Sequence, residues 1–390
     1  MENKYITMDR VFDNQLCAFA PIKAQSLPGG AFYEYKEMDT GVKVLENGDV
    51  YFGYYAPDAK NVAVHFGPTN PIVLEKGEDG IWRGIKPFEK EFVGAKTFTF
   101  RVDGAEVVSH FCPTYFIGNS LMNYVEIPDP NADFLTMRDV PHGSIVTEFY
   151  WSSVLEEWER LLVYLPPMYH EGGEYPVLYL QHGYSENETS WIYNAKINFI
   201  LDNLIADGKA EPFVVVMAHG MFHGKYNVFA DFQTPFEKSL IECVIPFIES
   251  KYRVIKDKWH RGIAGFSMGS MQASLISLHN MDKFAYVGLL SGFMRRVGGP
   301  EKDKDKSLEV NDHLLNMFDR ENFEKEIKLF FRGIGSNDGT KMAFDIDDEL
   351  LEEHGMTDCP NLVRFIAQGY PHDWSTMRIL FHEFAQKVFK

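Results

Sequence analysis

The chain has 390 residues, 45% of them hydrophobic and 24% charged, the balance of a folded globular protein long enough for two or three domains. Its 38 basic and 56 acidic side chains give a formal net charge of −18, which argues against nucleic acid or an anionic membrane as partner, since both reward basic patches. No apolar run approaches the roughly 18–20 residues of a membrane-spanning helix. The amino-terminal "MENKYITMDRVFDNQLC" lacks a basic segment followed by an apolar one. Cys17, Cys112, Cys243 and Cys359 are far apart and show no metal-binding spacing. The expectation is a cytoplasmic, reducing setting, with no metal and no organic cofactor. Nothing in the pattern selects a homodimer over a monomer.

In chain order, residues 1–35 form an amino-terminal segment of no clear type. Residues 36–127 read as short alternating strands with turn signals between them. "GDVYFGYYAP" and "NVAVHFG" alternate, "GEDG" (77–80) is a turn, and Asp103-Gly104 closes a hairpin in "AKTFTFRVDGAEVVS". About seven strands in roughly a hundred residues predict a β-sandwich. The stretch 128–143 carries Pro128, Pro130 and Pro141 and reads as a linker.

From 144 to 390 the pattern becomes strand, loop, helix. "YPVLYLQHG", "PFVVVMAHG", "RGIAGF", "FAYVGLLSG", "IKLFFRGIG" and "NLVRFIAQG" are continuous apolar runs of buried parallel strands. "WIYNAKINFILDNLIADGK" predicts one helix ending at Gly208, and "FEKSLIECVIPFIESKY" and "STMRILFHEFAQKVF" predict two more. The fold class is therefore α/β: a doubly wound, mostly parallel sheet preceded by a smaller all-β sandwich. The charged, Gly-rich stretch 295–313 interrupts the rhythm and reads as a solvated insertion, with a lid over the site as the functional alternative.

"GFSMGS" (265–270) places Ser267 between glycines, after an apolar strand and before a helix. This is the G-x-S-x-G elbow, in which a serine stands on a sharp strand-to-helix turn and the glycines let the two backbones pass closely. The plainer alternative is a Gly-flanked serine capping its own helix. A serine hydroxyl needs a base, and the base needs an orienting acid. On such sheets the order is Ser, acid, His. Asp338 in "GIGSNDG" follows a strand end, whereas Asp345, Asp347 and Asp348 lie in a helical pattern and read as solvated. Of His354, His372 and His382, only His372 in "QGYPHDW" lies on a loop leaving the last strand. The oxyanion donors expected are the backbone N–H groups of Met268 and, after the first long strand, Tyr184. His182 in that loop reads as structural. Trp191, Trp374 and Phe293 are candidates to pack an acyl group, with core packing the equal alternative.

These motifs, from "YPVLYLQHGYSENETSWI" through "RGIAGFSMGSMQA" and "GIGSNDG" to "QGYPHDWSTMR", resemble the feruloyl and acetyl-xylan esterase family of carbohydrate esterases over about 141–390. The enterochelin esterases and S-formylglutathione hydrolase are its wider relatives. The first module is similar to the early-set immunoglobulin-like domains that precede such esterases. The resemblance implies an α/β-hydrolase in which Ser267 is nucleophile, Asp338 acid, His372 base, and Met268 and Tyr184 oxyanion donors. It implies hydrolysis of a small-molecule or oligosaccharide ester through an acyl-enzyme, feruloyl esters of arabinoxylan first and acetyl second, with enterochelin or S-formylglutathione hydrolysis as further alternatives. An inactive carbohydrate-binding scaffold is the alternative from another class. Ser270 departs from the family, many of whose members carry a further glycine there, and so does the insertion after Gly292.

Overall fold

The computed structural model describes residues 19–27, 30–67, 71–89, 92–117, 120–221, 235–292, 294 and 312–390. The chain divides into two compact units, Met1–Thr136 and Met137–Lys390, so that the division falls inside the Pro-rich stretch 128–143.

The first unit opens with an antiparallel hairpin, β1 (Phe19–Leu27) and β2 (Gly30–Glu37), in the segment that carried no sequence assignment. One sheet follows from β3 (Gly41–Val44), β4 (Val50–Tyr55), β7 (Glu75–Lys76) and β8 (Ile81–Lys86), in the order β3-β4-β8-β7. The other sheet holds β5 (Val62–His65), β6 (Ile72–Val73), β9 (Gly94–Val102), β10 (Ala105–Val107), β11 (Thr114–Ile117) and β12 (Ser120–Ile127). Phe52 and Trp82 from the first sheet and Val64, Phe98, Phe100 and Val125 from the second share one buried cluster. That is how alternating strands bury one face each in a sandwich. Asp103 (φ 49°) and Gly104 (φ 88°) both occupy the left-handed region that a two-residue hairpin turn demands.

The second unit is built on an eight-stranded sheet of β13 (Ser144–Ser152), β14 (Glu157–Leu165), β15 (Val177–Gln181), β16 (Val214–Ala218), β17 (Arg261–Phe266), β18 (Tyr286–Leu290), β19 (Leu329–Gly335) and β20 (Leu362–Ala367). The order is β13-β14-β16-β15-β17-β18-β19-β20, with β13 and β14 antiparallel and the rest parallel. The helices are α1 (Ser190–Tyr193), α2 (Ile197–Ala206), α3 (Pro235–Ser239), α4 (Ile245–Lys251), α5 (Met268–His279), α6 (Asp312–Phe318), α7 (Arg320–Glu326), α8 (Lys341–Glu353) and α9 (Trp374–Ala385).

Helices lie on both faces of this sheet. Val287 and Leu289 of β18 join a core cluster with residues of α3 to α8, while Gly288 between them meets the ring of Phe384 on α9. A Cβ at Gly288 would stand 3.0 Å from that ring, so glycine sets how closely α9 packs. This is the α/β-hydrolase arrangement. Among the described residues no helix is long and apolar enough to cross a membrane.

Two helices differ from their sequence pattern. The run 191–208 breaks at Lys196, which is left-handed (φ 59°), between α1 and α2. The Asn194 carbonyl there is taken by the buried Arg378 of α9, at 3.0 and 2.7 Å. The run from 236 widens into a π turn over Leu240–Val244 just before Pro246. Proline has no N–H to give the preceding turn, and its ring crowds the carbonyl four residues back.

Candidate active site

β17 is apolar and buried along its length, and α5 starts one residue after it. Ser267 makes that turn alone, at φ 53° and ψ −112°, a conformation strained for any side chain. The glycines on either side make it feasible. A Cβ on Gly265 would stand 2.3 Å from the backbone of Gly269, and one on Gly269 would stand 2.6 Å from the His182 carbonyl oxygen. Ser267 occupies the cap position of α5, yet its hydroxyl makes no cap bond to that helix. The capping alternative is thereby replaced: Ser267 Oγ lies 3.0 Å from His372 Nε2.

Two strand-end loops build the chain of contacts that reaches this hydroxyl. The loop after β19 carries Asp338, whose Oδ2 lies 2.8 Å from His372 Nδ1. The loop after β20 carries His372, directly before Asp373, which caps α9 by accepting from the N–H groups of Ser375 and Thr376. These two loops are stitched together. The N–H of Asn337 donates to the Tyr370 carbonyl (3.0 Å), and that of Gly369 donates to Ser336 Oγ (2.8 Å). A Cβ on Gly335 would stand 2.1 Å from the Tyr370 oxygen, so only glycine lets the loops approach this closely. His354 instead stacks on Phe318, and His382 meets Gln386.

Asp338 is buried and receives four hydrogen bonds. His372 and Ser291 Oγ (2.7 Å) reach Oδ2, while the N–H (2.7 Å) and hydroxyl (2.6 Å) of Thr340 reach Oδ1. Burial alone would raise its pKa, but the bonds from His372, Thr340 and Ser291 and the charge on His372 outweigh it and hold the carboxyl below its usual range. Ser291 is itself left-handed (φ 49°) and fully buried. Neither Ser291 nor Thr340 carried a sequence signal, because a serine after a strand and a threonine near an Asp-Gly are ordinary loop residues. Asp347, expected in solvent, is buried and accepts the N–H of Met294, and Asp348 pairs with Arg332 and Arg364.

The loop after β15 packs against the elbow, its His182 carbonyl beside Gly269 and its Gly183 beside Phe266. Met268 is the first residue of α5, where backbone N–H groups have no intrahelical acceptor. Tyr184 is half exposed, in a loop that turns back at left-handed Ser185 (φ 59°). His182 is buried and bonded twice: Nδ1 lies 2.8 Å from the Gly183 carbonyl, and Nε2 accepts the N–H of Gly220 at 3.0 Å. Burial, then the neighbouring His219, depress its pKa to about 3. It is a neutral strut for the loop.

Trp191 and Trp374 require a correction. Both are buried, with 0% and 2% of their surface exposed. They pack edge to face at 5.1 Å, and the indole N–H of Trp191 donates to the Gln181 carbonyl. Apolar area drew them into the core beneath the site, not into the wall of an acyl pocket. Phe293 and residues 295–311 lie outside the described residues. Among the described residues, no group of three or more His, Cys, Asp or Glu is arranged to hold a metal ion.

A family model described as "Putative esterase" matches residues 152–370. A curated relative from Xylanibacter ruminicola, endo-1,4-beta-xylanase/feruloyl esterase, is 34% identical over 357 residues, covering 89% of this chain and 46% of that protein. The chain thus spans about half the length of that relative. The solved feruloyl esterase module from Clostridium thermocellum, complexed with sinapinate, is 26% identical with a TM-score of 0.54, over 67% of this chain and 93% of that one. The enterobactin esterase of Shigella flexneri shares the fold over 87% of this chain and 93% of its own, with a TM-score of 0.64 at 13% identity. With more than half of its length matched by the family model, from the end of β13 through the elbow and Asp338 to residue 370, this chain belongs to the esterase family.

Proposed function

We propose that this protein is a serine esterase that releases feruloyl or related hydroxycinnamoyl groups from plant cell-wall carbohydrate, arabinoxylan fragments first. Ser267 Oγ attacks the ester carbonyl while His372 Nε2 takes its proton. Asp338 holds the imidazole in the tautomer that presents Nε2 to the serine and stabilises the imidazolium that forms. The N–H groups of Met268 and Tyr184 receive the oxyanion. His372 then protonates the leaving alcohol, and water, activated by the same imidazole, cleaves the acyl-enzyme.

The observation that carries the reading is one imidazole bonded at once to Ser267 Oγ (3.0 Å) and Asp338 Oδ2 (2.8 Å). The acyl group is supported by the feruloyl esterase in the name of the Xylanibacter relative and by the solved feruloyl esterase module. The two facing antiparallel sheets of the first unit support an immunoglobulin-like module. The described thiols, Cys112, Cys243 and Cys359, are buried and not joined in disulfides, which suits a reducing, cytoplasmic setting.

The test compares the protein with Ser267→Ala on methyl ferulate, an acetylated xylo-oligosaccharide and p-nitrophenyl acetate. The expected result is a preference for ferulate and a loss of about 10⁴–10⁶-fold in kcat for the variant. Preference for the acetylated sugar would move the acyl assignment to acetate. Activity indifferent to the substitution would remove the mechanism.

A further inference from the structure

Glu186 lies in the loop between β15 and α1, buried, and the triad does not use it. Its two carboxyl oxygens go to two parts of the site. Oε2 accepts the N–H of Gly183 at 3.1 Å, within the loop that carries Tyr184. Oε1 accepts the indole N–H of Trp374 at 2.8 Å, from a residue 188 positions away and two beyond His372. The Trp374 ring packs on Phe266 at 5.2 Å, and Phe266 packs on the His372 ring at 4.9 Å. A Cβ on Gly183 would stand 3.0 Å from Phe266, so the loop is pressed onto the same ring that supports the base.

We propose that Glu186 is a positioning residue for the esterase reaction: by accepting from Gly183 and Trp374 together, its carboxyl fixes the oxyanion loop relative to the imidazole of His372. The inference rests on the serine esterase reading above. The choice of residue follows from donor chemistry. Both partners are N–H donors, and a carboxyl offers an acceptor oxygen to each. A glutamine offers one acceptor and turns an NH₂ toward the other donor. Burial pushes the Glu186 pKa up to about 8 against the pull of both bonds, a penalty that an apolar residue would avoid if cohesion were the only demand. Oxyanion donors act only when held within hydrogen-bond reach of where the charge develops. The clamp therefore serves the tetrahedral transition state more than the bound neutral ester.

The experiment measures kcat, KM and inhibition by an arylboronic acid, which forms a tetrahedral anion on the serine, for Glu186→Gln, Trp374→Phe and the double variant, beside Ser267→Ala. Glu186→Gln should lower kcat about 10–100-fold. Its KM should stay within about twofold, and boronate affinity should fall in step with kcat. The double variant should be no worse than the poorer single one, because both break one clamp. A raised KM with unchanged kcat, or single losses that multiply in the double variant, would overturn the inference. If Glu186→Gln does not fold, Trp374→Phe decides by the same kcat-against-KM split. Inactive Ser267→Ala beside fully active Glu186→Gln sinks the clamp alone; fully active Ser267→Ala sinks the esterase reading and the clamp with it.

Discussion

Two buried carboxyls in the candidate site, Asp338 and Glu186, lie in opposite surroundings. Asp338 sits among four donors, one of them the imidazole of His372, and its pKa is held low. Glu186 is buried with two neutral N–H donors, and its pKa rises to about 8. Burial raises both; the number and charge of the donors decide which way each finally moves. Each carboxyl combines a close-range bond, Thr340 to Asp338 or Gly183 to Glu186, with contacts from distant parts of the chain, His372 and Ser291 on Asp338 and Trp374 on Glu186. Both sides of the site thus join local turn chemistry to the tertiary fold, and they differ in how many donors converge.

The contrast can be broken in order of expected effect. Asp338→Asn keeps the shape but reverses the hydrogen-bond preference toward His372 Nδ1, and kcat should fall by about 10⁴-fold with little change in folding. A small loss would mean that the low pKa of Asp338 is structural only. Gly269→Ala puts a Cβ 2.6 Å from the His182 oxygen and 2.8 Å from Gln181 Cβ, pushing the elbow off the loop after β15. Stability should drop by about 1–3 kcal/mol in denaturant unfolding, with activity falling alongside. Ser291→Ala removes one of the four donors to Asp338, and kcat should fall roughly tenfold, the scale of one hydrogen bond to a charged group. An unchanged rate would show the remaining three donors to be enough.

A separate contrast is read in stability against pH. Glu186, at about 8 when folded against about 4.3 unfolded, binds its proton more tightly in the native state. Its contribution is complete below about pH 4 and is lost as pH rises toward 8, at about 1.4 kcal/mol per unit. Asp338, with a depressed folded-state pKa, works the other way: its contribution is present above about pH 4 and is lost as pH falls through the folded value. Urea titrations between about pH 5 and 8 should show wild type declining relative to Glu186→Gln. Parallel curves would erase the distinction between the two carboxyls.

The parallel strands were legible because buried strands are written as unbroken apolar runs, as in "PFVVVMAHG" and "RGIAGF". Ser267, Asp338 and His372 were legible because each occupies a strand-end loop in a fixed chain order. Glu186 was not, since a glutamate in "YSENETSW" looks solvated until Trp374 closes over it. For the same reason the sequence left Trp191 and Trp374 open between acyl pocket and core, and burial decides for the core: an aromatic's pattern does not say which side of a loop it faces.

Sequence alone determined the alternation of strands and helices, the elbow around Ser267 and the order of its partners, because periodicity and glycine placement act over a few neighbouring residues. Tertiary structure alone decided the break at Lys196, the donors gathered on Asp338 and the bridge through Glu186. Each depends on groups brought together by packing from distant parts of the chain, and burial and hydrogen-bond demand exist only once those groups have met.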